Sequence, residues 1–265
     1  MRRPHRAFRA RVTVQPGLVW LTGASAGIGR AVALRLAREG WRVAASARRA
    51  EALASLCTEA RGLPGDIRAF PVDVTDRQAV ADCVAAIERD FGRIDLAVLN
   101  AGTHEPMPAD KFSAATVRRL LDINVMGVAN GLEAVLPLLI ARGAGRVAIV
   151  ASLAGYGGLP SAAAYGASKA ALINLAEALR PELLEKGVIL QLINPGFVKT
   201  PLTDRNDFEM PFLISAEEAA EAILRGLRSD RFEIAFPGTF VRLMKLLRLL
   251  PYSLYFRITR RLVRR

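Results

Sequence analysis

Short apolar runs alternate with longer segments of helical period along most of this chain of 265 residues. The apolar runs predict β-strands, at residues 18–22, 41–47, 67–72, 94–100, 146–151, 188–193 and 232–236. The segments between them predict helices, at residues 27–39, 49–61, 76–91, 113–141, 162–186 and 215–229. Because the strands are apolar on both sides, we expect helices on both faces of the sheet. Right-handed crossovers then predict an α/β, single-domain, doubly wound parallel sheet of about seven strands.

The basic residues are concentrated at the two ends of the chain. The net charge is +12, yet residues 1–11 hold five arginines and residues 236–265 hold eight lysines and arginines, both without an acidic residue. The rest is close to neutral, so we expect no nucleic-acid partner. We therefore divide the chain into a basic arm over 1–16, a core domain over 17–236 and a basic amphipathic extension over 237–265.

A glycine-rich turn, Thr22-Gly23-Ala24-Ser25-Ala26-Gly27-Ile28-Gly29, joins the first strand to the first helix. Gly23 allows a tight bend, and Gly27 and Gly29 let backbone and helix approach a pyrophosphate closely. The free N–H groups of the helix start favour a phosphate there. The spacing differs from the commoner G-x-G-x-x-G fingerprint, and many strand–helix turns need glycine, so the turn alone is also compatible with a structural role.

The end of the second strand indicates which dinucleotide is preferred. An NAD site carries a carboxylate about 20 residues after the glycines, on the ribose 2′-hydroxyl. Here no acidic residue occurs before Glu51, and Arg48 is placed to bind a 2′-phosphate. A cation at a helix start opposes the helix dipole by roughly 0.3–1 kcal/mol, which favours an anionic ligand. We expect NADP, with NAD less favoured; the structural alternative is that Arg48 and Arg49 are merely solvated.

Tyr165 and Lys169 stand four residues apart, with Ser152 upstream. At that spacing on a helix the two side chains are neighbours, about 5–6 Å apart. A positive charge at that distance stabilises a phenolate by roughly 3 kcal/mol at an effective dielectric of about 20. We therefore predict that Lys169 lowers the pKa of Tyr165 by about two units, into the range of a general acid or base. Taken alone, such a pair is also compatible with a surface contact.

Further motifs occur in a fixed order: Asp73-Val74 after the third strand, Asn100-Ala101-Gly102 after the fourth, then Asn124, Ser152, Tyr165, Lys169, and Asn194-Pro195-Gly196 followed by Thr200. With the glycine turn, this combination resembles the classical short-chain dehydrogenase/reductase family over about residues 17–236. The resemblance implies a Rossmann-like fold and an NAD(P)-dependent oxidoreductase acting on CH–OH groups.

The resemblance also implies residue roles. Tyr165 would exchange a proton with the substrate oxygen that Ser152 holds, so both would bind substrate. Lys169 would depress the tyrosine pKa and bind the nicotinamide ribose, and Asn124 would kink its helix and hold a water of the proton relay. These four residues are the predicted catalytic set. The predicted cofactor-binding residues are Gly23, Ser25, Gly27, Ile28, Gly29, Arg48, Asp73, Val74, Asn100, Ala101, Gly102, Tyr165, Lys169, Pro195, Gly196 and Thr200.

The extension beyond residue 236 is cationic on one side and aliphatic or aromatic on the other, a pattern typical of a helix in a membrane interface. One hypothesis is therefore contact with an anionic membrane surface, which would suit a lipophilic carbonyl or alcohol. The alternatives are that the extension folds back over the substrate cleft or forms a subunit contact. A non-catalytic NADP-binding scaffold and a peripheral membrane adaptor are the alternative functions for the whole chain.

The remaining features predict less. We expect no metal site. His104 follows Asn100-Ala101-Gly102 and could line the mouth of the substrate site, although a lone loop histidine is usually just solvated. No uncharged run reaches the roughly 18 residues of a spanning helix, and the first residues lack a secretory apolar region, so we expect a cytoplasmic protein that is at most peripherally membrane-associated. The family resemblance implies a homo-oligomer, a dimer or a tetramer, formed through the helices at 113–141 and 162–186.

Overall fold

The computed structural model describes residues 16–205 and 209–263, of which Arg205 is described by its backbone only. Its strands are β1 (Leu18–Thr22), β2 (Arg42–Ser46), β3 (Asp66–Ala69), β4 (Leu96–Leu99), β5 (Gly145–Val150), β6 (Val188–Pro195) and β7 (Glu233–Phe236). Its helices are α1 (Gly27–Arg38), α2 (Ala50–Glu59), α3 (Arg77–Asp90), α4 (Ala114–Leu121), α5 (Gly127–Arg142), α6 (Ala163–Glu185), α7 (Ala216–Leu227), α8 (Gly238–Leu249) and α9 (Tyr252–Thr259). Apart from Pro16, the predicted basic arm lies outside the described residues.

All seven strands pair in parallel, in the order β3-β2-β1-β4-β5-β6-β7. The strand order reverses between β1 and β4, and in sheets of this kind the crevice at that point, beyond the carboxyl ends of the strands, is where ligands bind. The predicted doubly wound, Rossmann-like sheet is confirmed. The glycine turn follows β1 and therefore lies at this crevice.

Alternate residues of each strand point to opposite faces of the sheet and build two apolar cores. Leu18 and Trp20 of β1 lie in one core with residues of α3, α5 and α6. Val19 and Leu21 lie in the other with residues of α1, α2 and α7. Trp20 is fully buried, and its indole nitrogen donates to the Ser46 hydroxyl at 3.0 Å. Helices on both faces therefore fix the strand ends that carry the predicted site.

The third strand is shorter than the predicted 67–72, since it ends at Ala69. Phe70 and Val72 still donate backbone hydrogen bonds to β2 residues or their neighbours, at 2.9 and 3.1 Å. Pro71 stands between them without an N–H group, so the regular ladder cannot continue through it.

The predicted helix at 113–141 is one helical stretch with an interruption. A π-helical turn, Asp122–Met126, separates α4 from α5. The whole stretch Ala114–Arg142 is long and apolar enough to cross a membrane by length and composition alone. However, Val128, Val135 and Leu139 are buried in the core against the sheet. The stretch is therefore the central core helix of that face.

Beyond residue 236 the chain folds back onto the body. Phe240, Val241 and Met244 of α8 are buried in the same core as α5 and α6. Tyr255 of α9 is buried, and its hydroxyl donates to the Gly158 carbonyl oxygen at 2.7 Å. Since Gly158 lies in the loop between Ser152 and Tyr165, the extension packs beside the predicted site. That it covers the substrate cleft, one of the alternatives above, stays a prediction.

Candidate active site

The glycine turn is packed so closely that side chains are excluded from it. Gly23 has φ +68°, and a Cβ on it would lie 2.8 Å from the Ala101 Cα atom. A Cβ on Gly29 would overlap the Gly23 carbonyl oxygen. Asn100 holds the bend, because its Nδ2 donates to the carbonyl oxygens of Thr22 at 3.0 Å and of Gly23 at 3.2 Å. The Asn100 side chain is thus used by the protein itself and shapes the turn.

The start of α1 has the properties of an anion site. Its N-cap residue, Ala26, makes no side-chain hydrogen bond, and no acidic residue lies in the first turn. The first N–H groups of the helix are therefore available and carry the positive end of the dipole. Gly27 has φ +54°, and a Cβ on it would lie 2.9 Å from the Thr200 Cγ2 atom. This cradle fits the pyrophosphate of a dinucleotide.

The other residues predicted for this end of the cofactor lie around the same turn. Ser25 and Ile28 are half-buried within it. The hydroxyl of Thr22 accepts from the backbone N–H groups of Asn100 and Ala101, at 2.9 and 3.0 Å. These bonds join the ends of β1 and β4 at the turn. Thr200 lies next to the same turn, at Gly27.

Arg48 and Asp73 lie side by side after β2 and β3. The Arg48 Nη1 is 4.0 Å from the Asp73 Oδ2, and the Arg48 side chain is 70% exposed. Partial burial raises the pKa of Asp73, but hydrogen bonds from Thr75 and the charge of Arg48 outweigh it, so the pKa is lowered. Val74 is buried, and its carbonyl oxygen accepts from the Asn130 side chain at 2.8 Å. A cation and a carboxylate therefore flank the position where the adenosine half would lie.

Ser152, Tyr165 and Lys169 come together at the carboxyl end of β5. Ser152 is buried and forms a hydrogen bond with the half-buried Tyr165. The Lys169 Nζ lies 5.7 Å from the centroid of the Tyr165 ring and donates to the Val150 carbonyl oxygen at 2.9 Å. A Cβ on Gly102 would lie 3.5 Å from that Nζ atom. The three side chains and the loop after β4 thus lie close together at this edge of the sheet.

The direction of the tyrosine shift differs from the prediction. Burial raises the pKa of Tyr165, and the hydrogen bond with Ser152 lowers it by less. Burial also lowers the pKa of Lys169 to about 8. The predicted net lowering of the Tyr165 pKa is wrong for the protein's own groups, because both side chains are taken out of water and burial is the largest effect on the phenol.

Asn124 lies in the π-helical turn and is fully buried. Its Oδ1 accepts from the Thr103 N–H at 2.7 Å, and its Nδ2 donates to the Thr103 carbonyl oxygen at 3.0 Å. The Nδ2 also donates to the Ser168 hydroxyl at 2.9 Å, which in turn donates to the Tyr165 carbonyl oxygen at 2.7 Å. Asn124 therefore connects the loop after β4 to the helix that carries Tyr165. Its predicted hold on a water molecule stays a prediction.

His104, which the sequence left open as either a substrate-mouth residue or a solvated one, contacts the tyrosine. It is half-buried, and its ring meets the Tyr165 ring edge-on, with centroids 4.7 Å apart. His104 is therefore not an ordinary solvated loop histidine. Its place two residues after Asn100-Ala101-Gly102, at the edge of the sheet where the other site residues gather, is the feature that indicated a position near the substrate.

The loop after β6 is fixed by the C-terminal extension. A Cβ on Gly196 would lie 2.8 Å from the Phe240 Cδ1 atom and 3.2 Å from the Pro237 Cδ atom. The Ser152 hydroxyl donates to the Pro195 carbonyl oxygen at 3.4 Å. The requirement for glycine at 196 thus comes from the packing of the extension, in addition to any contact with a cofactor.

Comparison with known proteins agrees with this arrangement. The profile of the family described as short chain dehydrogenase matches residues 18–210. The chain belongs to the short-chain dehydrogenase family. This dehydrogenase is 40% identical over 242 residues to an oxidoreductase of Myxococcus xanthus, a match covering 91% of this chain and 96% of that relative. It is 34% identical over 212 residues to the 3-oxoacyl-acyl-carrier-protein reductase of Thermotoga maritima, covering 80% and 82%.

Solved structures agree as well. A short-chain dehydrogenase/reductase of Burkholderia phymatum in complex with NAD superimposes with a TM-score of 0.80 at 25% identity, covering 88% of this chain and 93% of that chain. A short-chain dehydrogenase of Sphingobium yanoikuyae in complex with NADPH gives 0.78 at 26% identity, covering 87% and 92%. The chain is therefore a nicotinamide-dependent dehydrogenase or reductase acting on alcohol and carbonyl groups.

Proposed function

We propose that this dehydrogenase prefers NADP and interconverts a ketone or aldehyde and an alcohol on a lipophilic small molecule, with Tyr165 as the general acid or base. The observation that carries the proposal is the place of the Tyr165 ring, 5.7 Å from the Lys169 Nζ atom and beside Ser152, at the same strand ends as the glycine turn. A proton donor and a dinucleotide cradle on one edge of the sheet are the two parts that such a reaction needs.

The state of the phenol suits the reducing direction. Because burial raises its pKa, Tyr165 is protonated at neutral pH, which is the form that gives a proton to a carbonyl oxygen. Ser152 would hold that oxygen in place beside it. Lys169 would stabilise the resulting phenolate, since at pH 7 an amine with a pKa of about 8 is still mostly charged. When bound, the cofactor supplies the hydride, and its oxidised ring adds a second positive charge.

The preference for NADP is supported by Arg48. Its guanidinium is largely exposed, and its one ion pair among the described residues, with Asp73, is long, at 4.0 Å between Nη1 and Oδ2. Such a group is free to reorient toward a phosphate and bind it bidentately. Asp73 lies beside Arg48, and a carboxylate there could instead bind a ribose hydroxyl. However, the Asp73 Oδ1 atom already accepts two hydrogen bonds from Thr75.

A lipophilic substrate is supported by the apolar side chains around the loop that follows β6. Phe212 and Leu213 are 46% and 42% exposed. The Phe212 ring stacks on Phe240 at 5.7 Å, and Phe240 stacks on Phe197 at 5.6 Å. Exposed apolar groups next to a cleft are typical of a binding surface for an apolar ligand.

The experiment is a panel of ketones, aldehydes and alcohols of increasing chain length, assayed with NADPH and NADH and with their oxidised forms. We expect carbonyl-dependent oxidation of NADPH, at least tenfold faster than of NADH at subsaturating cofactor, and kcat/KM rising with chain length. Cofactor binding without turnover on any compound would contradict the proposed reaction. Turnover confined to small polar substrates would contradict only the lipophilic part.

A further inference from the structure

The two C-terminal helices bury one side and leave much of their remaining apolar surface in water. On α8, Leu243, Leu246 and Leu249 are 53%, 63% and 79% exposed. On α9, Tyr252 and Phe256 are 77% and 60% exposed, with their rings stacked at 5.5 Å. Singly exposed apolar side chains are ordinary, but these five follow one another at intervals of three or four residues along two successive helices, a pattern typical of a binding surface.

Arginines lie among these apolar side chains. The extension has eight lysines and arginines and no acidic residue. Among its described basic residues, Lys245 pairs with Glu233, whereas no ion pair is formed by Arg242, Arg248, Arg257, Arg260 and Arg261. We call these five arginines, with Leu243, Leu246, Leu249, Tyr252 and Phe256, the tail surface.

We propose that the tail surface docks on a bilayer containing anionic phospholipid. Apolar side chains that enter the headgroup boundary, with arginines that meet lipid phosphates, are the combination by which interfacial helices bind. A second copy of this chain fits less well. A two-fold contact would bring the same arginines of both copies together, with no acidic residue in the extension to neutralise them.

Docking there would bring the substrate cleft to the bilayer. Tyr255 of α9 donates to Gly158, in the loop between Ser152 and Tyr165. Phe240 of α8 stacks on Phe197 and Phe212 of the loop after β6. The consequence that a lipophilic substrate reaches the site from the membrane rests on the proposed function, whereas the docking itself does not.

The test is flotation of the purified full chain with vesicles of phosphatidylcholine alone and of phosphatidylcholine with phosphatidylglycerol. We expect binding about tenfold or more stronger with the anionic lipid, and its reduction by salt. The triple variant Arg248→Gln/Arg257→Gln/Arg261→Gln should lose most of it. The matched control Arg61→Gln/Arg225→Gln/Arg231→Gln removes the same charge from exposed positions on the body and should bind as the parent does.

A second variant tests the apolar part. Leu246→Ser/Leu249→Ser should weaken vesicle binding several-fold, whereas Leu184→Ser, exposed on α6, should not.

Thermal melting of each variant verifies folding, and the oligomeric state is measured by light scattering. Equal binding to both vesicles, or equal loss in the body control, would overturn the proposal. A third result would also overturn it: the parent chain does not bind vesicles, and its oligomer dissociates in Leu246→Ser/Leu249→Ser. The tail surface would then be a contact between copies of the chain. Turnover of a water-soluble carbonyl, measured on the same samples, separates a failure of docking from a failure of the proposed reaction.

Discussion

Lys169 combines a buried position with a positive charge, which makes it costly for the fold. It is 4% exposed, and its amine donates a hydrogen bond to the Val150 carbonyl oxygen. Its pKa, lowered by burial to about 8, means that the protonated amine disfavours folding at neutral pH. A residue that lowers stability and faces the Tyr165 ring is what a functional role predicts.

We therefore expect Lys169→Met to gain stability and lose activity. Removing the buried charge should raise the free energy of unfolding at pH 7 by about 1–3 kcal/mol, while kcat falls by at least about a hundredfold. Since the folded pKa is lowered, the gain should be largest below pH 8 and shrink toward pH 10.5, the usual lysine value. Denaturant titrations at several pH values measure the change in the free energy of unfolding. Lys186→Met, at an exposed position, is the control and should show no such pH-dependent gain. A destabilised but active variant would contradict this role.

Arg48 can be tested against its neighbour Arg49, which is also exposed. A charge-assisted bidentate contact with a phosphate contributes about 1.5–3 kcal/mol, or roughly 10- to 100-fold in affinity. Arg48→Gln should therefore raise the KM for NADPH by that factor and leave the KM for NADH nearly unchanged. Arg49→Gln should affect both cofactors little. A parallel loss with NADPH and NADH in Arg48→Gln would contradict a role in selecting the 2′-phosphate.

At the scale of elements, β7 and α8 are joined by a polar cluster around Glu233. Its carboxylate accepts from Tyr156, from Lys245 of α8 and, at 2.8 Å, from Asn194. Burial raises the pKa of Glu233, but these bonds outweigh it, so the pKa is lowered. The stabilisation is therefore complete above the usual carboxyl value of 4.5 and is lost as pH falls through the lowered folded value.

Glu233→Gln should accordingly lower the free energy of unfolding by about 1–2 kcal/mol at pH 7. Because the wild-type carboxylate is itself protonated in acid, the difference between variant and wild type should shrink as pH falls below 4.5. Urea titrations between neutral and acidic pH measure both. The exposed Glu217→Gln serves as the control and should show little difference at any pH. A difference that persists in acid would show that the charge is not what stabilises the cluster.

Most elements could be predicted from the sequence because apolar periodicity reports burial directly. The exceptions have local causes that periodicity does not carry. Pro71 ends the regular ladder of β3, and the π-helical turn at 122–126 is set by tertiary hydrogen bonds from Asn124 to Thr103 and Ser168. The place of His104 against Tyr165 likewise depends on how two loops meet. The tyrosine pKa was mispredicted because spacing gives the distance to Lys169 but not the burial of both groups.

At the scale of the whole molecule, the extension belongs to the core that supports the site. Phe240 is buried, stacks on two aromatic rings and limits residue 196 to glycine. The sequence predicted an extension separate from the core domain, because only a narrow stripe of α8, Phe240, Val241 and Met244, is buried and most of the rest of the helix is basic or exposed. Self-association through α5 and α6 stays a prediction, as does the cytoplasmic location.

Phe240→Ala should therefore destabilise the whole protein by about 3–5 kcal/mol, as expected for truncating a buried aromatic side chain. Leu249→Ala, at a 79% exposed position of the same helix, should change stability by less than about 0.5 kcal/mol. Chemical unfolding followed by a probe of the sheet measures both variants. Equal, small effects would show that α8 is not part of the cooperative unit.

The proposed reaction depends most on the phenol of Tyr165 as the group that exchanges the proton. The most direct measurement is single-turnover oxidation of bound NADPH by the best carbonyl substrate, in wild type, Tyr165→Phe and the exposed control Tyr252→Phe. We predict that Tyr165→Phe binds NADPH with nearly unchanged affinity while hydride transfer slows by about a hundredfold or more, and that Tyr252→Phe matches wild type. Hydride transfer in Tyr165→Phe at the wild-type rate would contradict the account.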